Sequence, residues 1–469
     1  MSSNRPIIVN GVSGLTGERL LPSFDPAQIA ALARGDIPDN QTLRWLRRVW
    51  TALTKPHLGL PFGIRPEEPR QAGWGIVFHA SDSGALQDAL SRLIEHRRAQ
   101  IGDERTHVFS YNTGEDWRAW LARHGEEPGA VRPDRVPYYL LLAGDPERLP
   151  FELEHMLSVE RAVGRLSFDT LDGYRLYAES LIAHETGASA PQERRAVFFA
   201  TRHDSATETS ADLLAKPLEK DLPDLAPGFS SRGLWAGEAT KSNLGEVLRP
   251  RPNSPTPAFL FTASHGLAWP KEHPDQAARQ GALLCQGGFG SSRADHQFAA
   301  SDVPDDARVH GMVAFHFACF GAGTPRCDSF HEPGVQPPEI AERPFIAALP
   351  KRLLAHPQGG ALAVVGHIDR AWGYSLVGLS GTAQIQPFRN AVAAILAGVP
   401  VGHAVQDFRQ RFAALSTGLG ETLRKVSFGY KVPDEELAEL WLERNDAQAY
   451  TVLGDPAARL RVCALEESP

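Results

Sequence analysis

The sequence predicts an α/β fold: a mostly parallel central sheet sandwiched by helices, preceded by an N-terminal helical extension. Three observations predict it. From residue 138 onward the strand-like segments are unbroken apolar runs, such as YYLLLAG (138–144) and AVFFATR (196–202). Such runs mark strands buried on both faces, whereas half-exposed strands alternate polar and apolar residues. Long segments with helical periodicity, such as LDGYRLYAESLIAHE, separate these runs, as crossover helices separate parallel strands. Before the Pro- and Gly-rich stretch GEEPGAVRPDRVP (125–137), apolar residues recur at helical spacing instead.

Residues 1–135 read as the helical and loop-rich extension: a pro-segment, a docking module or a support for the core. Asp25 is a good N-cap with Pro26 at the first helical position. Residues 41–55 and 83–100 carry further helical patterns, with GLPFGIRPEEPRQAGWG as loop between them. Residues 136–469 form the α/β region. Its first run is followed by AVGRLSFDT, a helix and the run at 196–202, then by a helix over SADLLAKPLEKDL. PAFLFTASHG (257–266) and GMVAFHFACFG (311–321) are strands of the same kind. PFIAALPKRLLAHPQGG is a helix, ALAVVGHID (361–369) a strand, and NAVAAILAGVPVGHAVQDFRQRFAAL helical. YTVLGDPAARLRV supplies a last strand or hairpin.

Composition narrows the function. With 469 residues, 42% hydrophobic and 22% charged, the chain has globular composition and length for two or three domains or one large core. A net charge of −8 without a dense Lys/Arg block argues against a nucleic-acid partner. The loose clusters Arg92–Arg98 and Lys241–Arg251 read as solvated faces. Four cysteines, Cys285, Cys319, Cys327 and Cys463, are too few for a disulfide framework in a chain this long. The N-terminus lacks a secretory pattern, and there is no apolar run of 18 or more residues. The expectation is therefore a cytoplasmic protein with reduced thiols and no membrane partner. HExxH and CxxC spacings are absent. GGFG (287–290) and GVSGLTG lack the lysine of a phosphate loop, and Asp145 and Asp455 read as turn residues.

Two strand ends carry the chemistry. FLFTASHG ends in His265-Gly266, and MVAFHFACFG ends in Ala318-Cys319 with Gly321 close behind. Parallel strands deliver both side chains to one carboxyl edge of the sheet. There an imidazole can act as base for a thiol. The N–H groups of Gly266 and Cys319 can form an oxyanion hole, and the missing side chain of Gly266 lets a substrate carbonyl approach. A single histidine at a strand end, or a single buried cysteine, is more often structural. Together they lie 54 residues apart, near the roughly 50 of caspases. A small-amide hydrolase or amidotransferase remains as a further reading, but its sharp G-x-C-x-G elbow is disfavoured by Phe317 two residues before Cys319.

From here the resemblance reaches a family. YYLLLAGDPERLPF, AVGRLSFDT with its helix, TASHGLAWP, FHFACFGAGTP, GGALAVVGHIDRAWGYS and TVLGDPAARL, in this order, resemble gingipain-type members of the caspase-like cysteine peptidases, a bacterial caspase homologue. Phe317 and Phe320 depart from the caspase signature around the cysteine. The resemblance covers residues 136–462 and leaves residues 1–135 unexplained. It implies a caspase-like (caspase-hemoglobinase) fold with a catalytic core at about 195–430. It also implies a cysteine endopeptidase acting on protein or peptide substrates through Cys319 and His265, with no cofactor required. Relatives bind calcium, but no EF-hand pattern places a site here. Many relatives are zymogens awaiting an activating protease, and bacterial ones serve stress, cell-death or defence pathways.

The resemblance also locates substrate-binding candidates. The side chain just ahead of the helix after the first core strand often reads the P1 residue, and Asp204 stands there. A carboxylate at the pocket base favours Arg, or Lys, at P1. Trp372 would wall the pocket or stack on the guanidinium, and Asp369 would add charge or sit in a solvated turn. Two other readings remain open: Arg202 faces the pocket and selects Asp, or Asp204 only caps its helix. Asp328 reads as an exposed loop residue or as a second negative charge for the pocket, His203 and His316 border the site in sequence with His316 structural, and His367 is ambiguous. The segment Lys271–Asp306 reads as a lid or activation loop, or as a surface excursion; an Arg-specific enzyme would find Lys271, Arg279 and Arg293 there. A catalytically inactive scaffold on the same fold is the remaining alternative.

Overall fold

The computed structural model describes residues 11–19, 59–82, 84–187, 193–249, 256–290, 294–330, 336–377 and 383–461. The expected helices around Asp25 and over 41–55 lie outside the described residues, as do Arg293 and Cys463. In chain order the strands are β1 (Gly11–Ser13), β2 (Trp74–His79), β3 (Thr106–Tyr111), β4 (Tyr139–Ala143) and β5 (Ala162–Leu166). Then come β6 (Glu193–Ala200), β7 (Ser230–Trp235), β8 (Pro257–Ala263), β9 (Gly266–Ala268), β10 (Leu283–Leu284) and β11 (Gln297–Phe298). The last are β12 (Val313–Phe317), β13 (Gly323–Thr324), β14 (Phe345–Ile346), β15 (Ala363–His367) and β16 (Tyr450–Gly454).

Ten of them form one sheet in the order β3-β2-β4-β5-β16-β15-β12-β8-β6-β7. Each neighbouring pair is parallel except β15 with β16. The sheet therefore consists of two parallel halves that run in opposite directions and meet at its middle. The inner strands β4, β8, β12 and β15 are buried along their whole length, as their unbroken apolar runs require. The outermost strands behave differently. β3 alternates buried with exposed residues and β7 begins with three exposed ones, so polar side chains blunt both edges.

Helices cover the sheet. The helix Leu171–Glu185 begins where the Thr170 side chain accepts the N–H of Gly173. Its face of Tyr174, Tyr177, Ala178 and Leu181 is buried, each large side chain contributing about 1.5–3 kcal/mol. The Tyr177 hydroxyl donates to the Leu362 carbonyl at 2.8 Å and accepts the Asp455 N–H at 2.6 Å. Helices Gln406–Ser427 and Asp434–Ala449 pack against each other before β16. No helix among the described residues is long and apolar enough to cross a membrane.

The structure departs from the expected helical and loop-rich character of residues 1–135. Two fully formed strands lie there, β2 and β3, which extend the sheet from β4. WGIVFH is short and follows a Pro- and Gly-rich loop, so its burial on both faces becomes visible only with its neighbours in place. Asp455 is not a mere turn residue. It is fully buried and accepts Trp74 Nε1 at 3.1 Å and Arg97 Nε at 2.9 Å, tying the first strands to the last. A second sheet, β1-β9-β10-β11, lies beside the carboxyl end of β8, and β13 pairs with β14.

Candidate active site

β8 and β12 are direct neighbours, and Ala263 pairs with Phe317 in register. His265 and Cys319 each follow that pair by two residues, so parallel pairing alone places them at one carboxyl edge. Backbone packing brings the segments closer still. A Cβ on Gly266 would stand 1.8 Å from the carbonyl oxygen of Cys319 and 2.8 Å from its nitrogen. Only glycine fits there. Beyond the cysteine the chain turns sharply: Phe320 has φ 57°, and Gly321 N–H donates to the Ala318 carbonyl. A bulky residue in this left-handed region is strained, a cost of about 1–3 kcal/mol that clusters at functional sites. The Phe320 N–H holds the turn by donating to the Asp369 carbonyl at 2.9 Å.

His265 Nε2 donates to Asp204 Oδ1 at 3.2 Å, and its Nδ1 has no hydrogen-bond partner among the described residues. The imidazole packs in a triangle of three near-parallel rings, its two neighbours standing 5.8 Å from each other. His203 lies 6.0 Å away at 14° between planes, and Phe289 5.6 Å away at 24°. Burial and then the neighbouring imidazole push His203 down to about 4, which keeps it neutral beside His265.

Asp204 caps the helix Ser205–Ser210 through a reciprocal arrangement with Thr207. Its Oδ2 accepts Arg19 Nε at 2.8 Å. Burial opposes the charge of this carboxylate. The hydrogen bonds from His265, the Thr207 N–H and Arg19 outweigh it and hold the group well below the usual carboxylate range. The helix-capping reading and the pocket reading of Asp204 thus meet a third observation, a direct bond to the imidazole. Arg202 is turned to its own helix and pairs with Asp212 and, at 3.6 Å, with Glu208.

The Cys319 sulfur accepts the Ala371 N–H at 3.2 Å. Burial pushes the thiol up, opposed by that N–H and by Arg370 nearby. Cys319 and His265 are both 0% exposed. Asp369 accepts its neighbour Arg370 N–H at 2.7 Å and the Ser329 hydroxyl, and burial pushes its carboxyl up. Asp328 is not the exposed loop residue the sequence suggests. It is buried and grips Arg370 with both oxygens, the Nη2–Oδ2 bond being 2.7 Å. Trp372 is buried, donates its N–H to Asp446 Oδ1 at 2.8 Å and packs on Phe330 at 5.5 Å. His316 accepts or donates with Thr262 Oγ1 at 2.8 Å inside the sheet, and His367, the last residue of β15, lies 3.4 Å from Asp446.

The geometry thus gathers His265, Gly266, Cys319 and Asp204 in one place, with Asp369 and Trp372 on the segment whose Ala371 touches the sulfur. Four participants escaped the sequence reading: Arg19, Phe289, Arg370 and Ala371. Phe289 sits in GGFG, whose glycines signalled a loop but not what the loop covers. The described residues of the segment 271–306 include β10 and β11, and Gln286 pins it to Arg202 through bonds of 2.8 and 3.1 Å. Among the described residues no group of three or more His, Cys, Asp or Glu is arranged to hold a metal ion.

A mostly parallel sheet flanked by helices, with a histidine and a cysteine just beyond the ends of two adjacent strands, is the α/β arrangement the sequence predicts. Solved structures with which the chain is similar in fold include the Arg-specific cysteine proteinase gingipain R. That likeness has a TM-score of 0.47 and 13% identity, and covers 85% of this chain and 80% of the other. A structure reported simply as a protease has a TM-score of 0.48 and 11% identity over 83% and 78% of the two chains. The separase–securin complex of Saccharomyces cerevisiae has a TM-score of 0.32 and 10% identity, covering 68% of this chain and 15% of the other. No family model and no curated protein matches the sequence.

Proposed function

We propose that the protein is a cysteine endopeptidase that cleaves after Arg or Lys, with Cys319 as nucleophile, His265 as acid–base and Asp204 as the group that orients the imidazole. The observation that carries this reading is the register of β8 and β12, with His265 and Cys319 two residues beyond one backbone pair and Asp204 on His265 Nε2. With Nε2 committed to a carboxylate, Nδ1 is the nitrogen that handles protons.

His265 Nδ1 takes the thiol proton as the sulfur attacks the scissile carbonyl carbon. The oxyanion is held by the N–H groups of Gly266 and Cys319. Collapse breaks the C–N bond, and Nδ1 returns the proton to the leaving amine. Water then attacks the thioester, giving its proton to Nδ1 and then to the departing sulfur, which frees the carboxylic acid. Asp204 Oδ2 already accepts an arginine Nε, so it supports a cation at P1 while Oδ1 stays on the imidazole. Ser329 and Arg370 engage Asp369, and Arg370 engages Asp328; on Asp204 the cation a P1 side chain would replace is Arg19.

The test is a fluorogenic peptide panel with Arg, Lys, Asp and Asn at P1, against wild type, Cys319→Ala and Asp204→Asn. Arg and Lys peptides are expected to be cut, Cys319→Ala to be inactive, and Asp204→Asn to lose at least a hundredfold in kcat/KM. Cleavage after Asp would remove the basic-P1 assignment, and activity in Cys319→Ala would remove the peptidase mechanism.

A further inference from the structure

The sulfur of Cys319 takes its hydrogen bond from the end of another strand. The donor is the Ala371 N–H, at 3.2 Å, on the segment Asp369–Trp372 that leaves β15. The same segment carries the turn beyond the cysteine. The Asp369 carbonyl accepts the Phe320 N–H at 2.9 Å, and the guanidinium carbon of Arg370 lies 5.8 Å from the centre of the Phe320 ring. Phe320 is the residue held at φ 57°. The sulfur and this strained turn thus both lean on three consecutive residues, with Arg370 in the middle.

Arg370 is in turn fastened from a distant part of the chain. Asp328 accepts its Nη1 on one oxygen and its Nη2 on the other, the second bond at 2.7 Å. Asp328 is itself fixed: its N–H donates to the Pro338 carbonyl at 2.9 Å, and its Oδ1 accepts the Phe330 N–H at 2.8 Å. Both residues are buried. A guanidinium in such a bidentate pair is held in place and keeps its charge. That charge reaches the sulfur, where it favours a thiolate, while Asp369 and Asp446 disfavour one. Asp446 accepts the Trp372 N–H, and burial pushes the Asp369 carboxyl up. His265 comes from the neighbouring strand β8. Of these groups Arg370 alone is a fixed cation.

We propose that Arg370, clamped by Asp328, is a positioning residue of the nucleophile: it holds the Ala371 N–H on the sulfur and supplies the positive charge that balances the negative charge growing there. The proposal rests on the peptidase reading and adds the group that readies its sulfur. The proton of the thiol passes to His265 Nδ1 and the sulfur keeps the electron pair. Asp328 sets how much of the guanidinium charge the sulfur feels, because a carboxylate on the same fork offsets part of it. The two residues therefore act on the sulfur with opposite sign. Without Arg370, carboxylates stand alone beside it; without the Asp328 charge, the guanidinium is less offset.

The experiment uses the full chain and reads alkylation by iodoacetamide at each cysteine by peptide mass spectrometry, alongside cleavage of an Arg-P1 peptide. At one mildly alkaline pH the rate follows the thiolate fraction, partly offset by the weaker nucleophilicity of a more acidic thiol. Arg370→Gln is expected to slow alkylation of Cys319 at least about threefold, and Asp328→Asn to speed it at least about threefold. The double variant is expected to return to within about twofold of wild type. A merely structural role would loosen the site in both single variants and move both rates the same way. Rates that move the same way, or in neither variant, overturn the proposal. Buried Cys285 stays as slow as in wild type and reports that a variant is folded. If Arg370→Gln exposes Cys285 as well, Asp328→Asn and the double variant decide; no acceleration in the first, or no reversal in the second, overturns the proposal. Opposite shifts with no peptide cleaved would leave the role of Arg370 standing and sink the peptidase reading.

Discussion

At the scale of single residues, the candidate site depends on atoms that are missing as much as on those present. Gly266 has no room for a methyl group, because the Cys319 carbonyl lies 1.8 Å from where it would sit. The obstacle is backbone at the end of a buried strand, which cannot rotate aside. Gly266→Ala is therefore expected to destabilise the fold by about 3 kcal/mol, the upper part of the range for overpacking. The same change pushes Cys319 off its position, so on the proposed mechanism kcat/KM should fall at least a hundredfold; denaturant unfolding and peptide cleavage read the two effects separately. His265, Gly266 and Cys319 were legible in the sequence because each ends an apolar run long enough to name its strand. Arg19 was not, since its partner Asp204 lies 185 residues away and nothing local to either residue announces the other. Ala371 was invisible for a different reason: it acts through its backbone N–H, which every residue but proline possesses.

At the scale of elements, helices Ser91–Ile101 and Leu171–Glu185 are joined across the sheet face by Arg97 and Glu185, with His96 and Gln100 adding bonds to the same carboxylate. Burial opposes the Glu185 charge, but Arg97 and these donors outweigh it and bring the group from 4.5 down to about 2. A carboxyl depressed on folding contributes stability that is complete above its unfolded value and disappears as pH falls toward the folded one. About 3 kcal/mol should thus be lost between pH 4.5 and about 2, at 1.36 kcal/mol per pH unit of depression. In Glu185→Gln, thermal melts over this interval should show a shallower acid limb than wild type. Elements of this kind were easy to read where a buried strand or an amphipathic helix spoke for itself, and Leu171–Glu185 occupies the stretch its periodicity marked. β2 and β3 were hidden because six residues between loops carry too short a pattern, and β3 lies at a sheet edge with a mixed surface.

At the scale of the whole molecule, the two halves of the sheet are joined by the pairing of β15 with β16 and by the Tyr177 hydroxyl on the Leu362 carbonyl, while a buried ion pair fastens the end of β16 within its own half. Asp455 receives Arg97 and Trp74 from the first half and presents its N–H to Tyr177. Asp455→Ala leaves a buried guanidinium with one acidic partner fewer, and is expected to cost about 3 kcal/mol in urea unfolding. The loss should appear as a single transition if the halves unfold together, with fluorescence and circular dichroism tracking each other.

The place of β16 has a consequence for how the protein is made. Synthesis proceeds from the N-terminus, yet the strand that bridges β5 and β15 is Tyr450–Gly454, the last one described. Until those residues leave the ribosome, β5 and β15 each present a bare flank, and the catalytic edge hangs from a scaffold with a gap at its middle. Translation must therefore pass residue 454 before the nascent protein can lock into shape, and a premature stop between residues 367 and 450 would leave one chain carrying two unjoined, sticky halves of a sheet.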